Sequence, residues 1–121
     1  MGWTLIALGF AGGALLGLRF DVPGWLGGYD ALPRRLVRLA HIALVALGAL
    51  NLLAAPSLGS NPDHRLAAFA SWCWIAGAVT MPLACYLMAW RPSFKPVFVI
   101  PVVLLILAAL CTAVIVFALP R

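Results

Sequence analysis

Two histidines, three cysteines and three acidic residues are the first places to look in this 121-residue chain for acid–base, nucleophilic or metal chemistry. His41 stands inside an apolar run at 37–55, where an ionisable side chain is costly and is read first as functional. Three chemistries are open to it: axial ligation of a haem or a chlorophyll-type magnesium, a hydrogen bond to a quinone, or a hydrogen bond to a neighbouring helix. A bis-histidine haem needs a second imidazole at similar depth, and His64 falls at the opposite end of the spans. The β-branched Val37 stands four residues before His41, where a pigment favours a smaller residue. The interhelical hydrogen bond is therefore the preferred reading. No resident cofactor and no metal are expected, and a haem or chlorophyll-type pigment at His41 is the alternative.

Cys73, Cys85 and Cys111 lie in apolar runs without a CxxC or Cys/His pairing, so they read as buried thiols. Asp21, Asp30 and Asp63 fall between the runs, which leaves no paired carboxylates and no Ser–His–Asp set. No glycine-rich phosphate loop occurs either. The chain is not expected to be an enzyme. A proton-coupled transporter usually needs an acid within the membrane, so a small transporter using Pro82, Pro101 and Asn51 is the weaker alternative.

The elements that must position these residues are set by composition. With 65% hydrophobic and 9% charged residues and a mean hydropathy of +1.10, water is not the main solvent. A hydrocarbon core of about 30 Å takes about 20 apolar residues per helix, so this length fits four short-looped spans. The predicted fold is all-α, an integral membrane four-helix transmembrane bundle forming a single domain over 1–121, with helices at about 2–18, 33–55, 62–90 and 96–119. The first run lacks a basic segment before Trp3, and Arg19 and Asp21 follow it in place of a small-x-small site, so it reads as a retained helix. Pro56, Gly59 and Asn61 punctuate the second connection, where Asn61, Pro62 and Asp63 offer an N-cap, an N1 proline and an acidic first turn. The segment 90–96, with Arg91, Pro92, Lys95 and Pro96, reads as a short basic turn. Pro82 and Pro101 remove one backbone bond each and predict kinks.

Six of the eight basic residues, Arg19, Arg34, Arg35, Arg38, Arg91 and Lys95, fall on the first and third connections, against Arg65 and Arg121 on the other side. The positive-inside rule then places both termini outside the cytoplasm. Arg34, Arg35, Arg38, Arg91 and Lys95 are expected at the cytoplasmic face in contact with anionic lipid, which accounts for a net charge of +5 without nucleic acid. Phe20, Trp25 and Tyr29 read as headgroup anchors, while Trp72 and Trp74 lie below the interface.

Gly9, Gly13 and Gly17 repeat GxxxG on one face of the first helix and predict a close helix contact, either within the chain or with another subunit. In the second helix Arg34, Val37, His41, Leu44, Gly48, Asn51 and Ala55 share a stripe that should face protein, with Gly48 and Asn51 as packing positions.

The run from Arg38 to Asn51 (RLAHIALVALGALN), followed by Met81-Pro82-Leu83-Ala84-Cys85, resembles small uncharacterised four-helix bacterial membrane proteins that accompany cytochrome or other electron-transfer complexes. The resemblance covers the second and third helices. It implies a bacterial inner-membrane setting and assigns no activity and no functional residue. The reading reached from the sequence is a non-catalytic accessory subunit of a larger respiratory or photosynthetic membrane complex, with that complex and membrane lipids as its partners.

Overall fold

The computed structural model describes residues 1–59 and 64–118, and the expected cap at Asn61, Pro62 and Asp63 lies outside the described residues. Among the described residues four α-helices make up the fold: α1 (Gly2–Gly17), α2 (Leu32–Gly59), α3 (His64–Trp90) and α4 (Val99–Phe117). Short 3-10 segments at Trp25–Gly27 and Pro92–Phe98 join them. Three stretches, Leu32–Gly59, Arg65–Trp90 and Pro92–Phe117, are long and apolar enough to cross a membrane. α1 has 16 residues, a rise of about 24 Å. Turn hydrogen bonds carry the coil on through Leu18, Arg19 and Phe20, which brings the rod from Met1 to about 30 Å.

Neighbours in sequence are neighbours in space. α1 packs on α2, α2 on α3 and α3 on α4, with a smaller approach of α4 to α2, so α1 rests on a single helix. The pairs run antiparallel: Gly2 of α1 meets Gly48 of α2 and Gly13 meets His41, while Trp74 of α3 meets Thr112 of α4. Both basic connections, 18–31 and 91–98, therefore lie at the same end of the bundle.

Two clusters hold the helices. Leu5, Ala43, Leu47 and Ala78 form one, with Leu44, Met81 and Leu105 packed against it. Ala54, Leu58, Ala67, Ala70 and Ile115 form the other. Alanines supply five of these nine buried side chains, and small side chains let helix backbones come close enough to gain dispersion contacts. Gly77 does the same for α3 and α4, since a Cβ there would lie 2.8 Å from Leu105 Cγ.

Element boundaries depart from the sequence expectation at three prolines. α2 does not end at residue 55 but runs through Pro56 to Gly59. Proline's fixed φ is helical, and Leu58, buried against Ala67, Ala70 and Ile115, holds the extra turn in place. The turn expected over 90–96 shrinks to Arg91, the extended residue (φ −140, ψ 116) between α3 and the 3-10 helix that contains Lys95 and Pro96. Pro101 cannot donate to Val97, and the chain changes from 3-10 to α pitch at Val99, just before it. The proline thus sits in the first turn of α4, where its missing N–H costs little. α3 continues through Pro82.

Candidate functional site

Inside the spans Asn51, Ser71, Trp74, Thr80 and Thr112 are engaged in local or interhelical bonds. Asn51 Nδ2 donates to Leu47 O at 2.9 Å and to Trp74 O on α3 at 3.4 Å. Trp74 Nε1 donates to Thr112 Oγ1 at 3.0 Å, and that hydroxyl donates to Ala108 O at 2.7 Å. Ser71 and Thr80 return their hydroxyls to Ala67 O and Ala76 O. Asn51 and Trp74 therefore bind α2, α3 and α4 together. Cys73 and Cys85 are buried free thiols, and Cys111 is a half-buried one.

The glycine row divides into two roles. A Cβ on Gly9 would overlap Val45 Cγ2 and lie 3.1 Å from His41 O, and one on Gly48 would lie 2.8 Å from Gly2 O and 3.1 Å from Ile6 N. These two positions, with Gly2, form the close α1–α2 contact, which is internal to the chain. Gly13 faces the His41 ring, its Cβ position 3.2 Å from Cδ2. At Gly17 nothing lies within 4 Å of a Cβ placed there, so the expected helix contact is not made within the chain at that position. Instead Gly13 and Gly17 line a cavity of about 230 Å³ with Leu16, Phe20, Trp25, Arg34, Arg38 and His41. Sequence reasoning missed Gly2, which continues the row one heptad before Gly9 and brings the start of α1 close to Gly48.

The roof of this cavity is built by the connection between α1 and α2. Leu26 (φ 53), Gly27 (φ 87) and Gly28 (φ 101) adopt left-handed backbone in succession, a conformation that glycine takes without strain and leucine does not. They turn the segment back over the start of α2. The carbonyls of Phe20 and Val22 then accept hydrogen bonds from Arg34 Nη2 at 2.7 Å and Nη1 at 3.2 Å. The Arg34 guanidinium carbon lies 5.8 Å from the Phe20 ring, 5.6 Å from Trp25 and 5.2 Å from Tyr29, and Arg38 lies 4.6 Å from Tyr29. Phe20 and Tyr29 meet edge to face.

Arg34 is thereby only 2% exposed, which corrects its expected role as a surface lipid contact. A planar guanidinium accepts burial when its N–H groups find carbonyls and its faces find rings. Arg35, Arg91 and Lys95 are exposed and Arg38 is half-buried. Arg91 lies 5.5 Å over the Trp90 ring. Trp25, expected as an outward anchor, is half-buried beneath the same roof.

His41 packs against Gly12 and Gly13 of α1. Its Nδ1 is buried and has no hydrogen-bond partner among the described residues, so the expected interhelical bond is not formed within the chain at that nitrogen. The reason is the choice of neighbour: α1 presents glycines there, whose amides are bonded within the helix. A second, apolar cavity of about 410 Å³ opens between α1 and α2 along Gly9, Phe10, Gly13, Ala14, His41, Ile42, Val45 and Ala46. Gly13 and His41 are common to both cavities.

No group of three or more metal-ligating side chains occurs among the described residues. No protein-family model matches this chain, and no curated protein or solved structure matches it significantly.

Proposed function

We propose that the chain is a non-catalytic accessory subunit embedded in the bacterial cytoplasmic membrane, where it packs against a larger complex of the electron-transfer type. The observation that carries this reading is the use of the polar side chains in the spans. Asn51, Trp74 and Thr112 tie α2, α3 and α4 to one another, and Ser71 and Thr80 bond their own helices. Such bonds contribute about 0.6–2 kcal/mol each to helix association and leave little to line a solute path. The outward face of α1 supports a partner: this helix packs on α2 alone and leaves Trp3, Leu8, Leu15 and Leu18 exposed. α4 adds Val103, Ile106 and Leu110 on its own outer side.

The basic end faces the cytoplasm in this reading, with both termini outside. Clustering of Arg35, Arg38, Arg91 and Lys95 at one end supports it through the positive-inside rule. Labelling of a cysteine placed at Ser93 should therefore require permeabilised cells, and labelling from outside intact cells overturns the orientation. Purification in mild detergent should bring down a larger membrane partner in fixed ratio. A monomer that transports a solute in liposomes would sink the accessory-subunit reading.

A further inference from the structure

We propose that the cavity under the α1–α2 connection is a binding site for the phosphate of an anionic phospholipid, with an acyl chain lying in the apolar groove between α1 and α2. The inference is independent of whether the chain joins a larger assembly.

Charge carries the first part of the argument. Arg34 and Arg38 both line the cavity, and no carboxylate does. Neither arginine forms an ion pair among the described residues. Arg34 has two of its five N–H groups on carbonyls and its faces toward rings, which satisfies the group locally and leaves its positive charge without a counter-ion. Such a buried charge is stabilised further by an opposite charge brought near it. Among the described residues the half-buried Arg38 meets only the Tyr29 ring, so its N–H fork is available to a phosphate oxygen pair. The buried, unpartnered Nδ1 belongs to His41, which lines the same cavity.

Continuity carries the second part. The charged cavity and the 410 Å³ groove share Gly13 and His41, and the groove then runs along Phe10, Ile42 and Val45 into the apolar depth of α1 and α2. A free phosphate would use the first cavity and leave the groove unused. A phospholipid has a group of suitable chemistry for each. The basic end of the bundle is also where the hydrocarbon of a bilayer gives way to headgroups, so the tail and the phosphate are presented in the required order.

Phosphatidylglycerol, phosphatidylcholine and inorganic phosphate serve as probes on the purified, delipidated chain, with lipid retention read by native mass spectrometry and stability by thermal unfolding. We expect one phosphatidylglycerol to be retained per chain at dissociation energies that strip phosphatidylcholine. Arg38→Gln should weaken retention about tenfold, whereas Arg91→Gln, at the same end but outside the cavity, should leave it unchanged. Gly17→Leu provides a variant whose folding is not at risk, because its side chain enters open space; it should fill the cavity and reduce retention while the unfolding temperature of the delipidated chain is not lowered. Equal retention of the two lipids, or retention unaffected by both Arg38→Gln and Gly17→Leu, overturns the proposal. Stabilisation by inorganic phosphate equal to that by phosphatidylglycerol overturns the lipid part and leaves a plain phosphate site.

Discussion

The packing of α1 on α2 predicts a graded response to alanine along one glycine row. At Gly48 the added Cβ would stand 2.8 Å from Gly2 O and 3.1 Å from Ile6 N, both backbone atoms, so α1 as a whole must retreat by several tenths of an ångström. At Gly9 it meets Val45, whose branched side chain has one favoured rotamer in a helix, and His41 O at 3.1 Å. Overpacking of this kind costs about 1–3 kcal/mol. Replacing an interior helical glycine by alanine returns about 0.8–1 kcal/mol of propensity. The net loss for Gly9→Ala or Gly48→Ala is therefore up to about 2 kcal/mol. Gly13→Ala displaces only the edge of the His41 ring, and propensity should cancel most of that cost. Gly17→Ala meets nothing, so no packing cost offsets the propensity gain and stability should stay the same or rise by up to about 1 kcal/mol. Reversible unfolding in mild detergent, followed by circular dichroism, gives the four values. Equal losses at Gly9 and Gly17, or the largest loss at Gly17, would refute the assigned contact.

Three further outcomes follow from the bonds described. Arg34→Lys keeps the charge but loses the fork that reaches Phe20 O and Val22 O, and should destabilise by about 1–3 kcal/mol with faster proteolysis at 20–29. Thr112→Val removes the acceptor of Trp74 Nε1 and should cost about 1–2 kcal/mol with a shift in tryptophan emission; unchanged stability and emission would mean that the bond does not form. His41→Phe replaces a buried nitrogen that has no partner among the described residues, so the delipidated chain should be as stable or up to about 1 kcal/mol more stable. A loss larger than that would show that His41 is bonded after all.

Much of the architecture was legible in the sequence because the bilayer restricts the answer. Backbone groups in hydrocarbon must bond within their own helix, so apolar runs of the right length define the spans directly. The polar stripe of α2 was readable for the same reason: Arg34, His41, Gly48 and Asn51 all face other parts of the chain. What composition could not show was the path of the first connection. Arg34, Arg35 and Arg38 are equivalent to a charge count, yet the left-handed turn at Leu26, Gly27 and Gly28 folds rings and carbonyls over Arg34 and leaves Arg35 exposed. Glycine pairs mark such turns without telling where they point. The Gly9, Gly13 and Gly17 spacing likewise reveals a face but not the distance between two helices along it. The contact is tight at Gly2 and Gly9, loosens to a side-chain contact at Gly13 and has opened into a cavity by Gly17. Pro56 shows the opposite case, a breaker by type that packing of Leu58 overrides.

The central claim, an embedded subunit that works as part of a larger assembly, is tested most directly by the mass of the native particle. Membranes containing the tagged chain at its natural level would be solubilised in mild detergent and the particle measured by native mass spectrometry. The account predicts a particle far heavier than the 12.8 kDa chain, containing at least one other membrane protein in fixed stoichiometry. A particle made of this chain alone, as one copy or several, would contradict it.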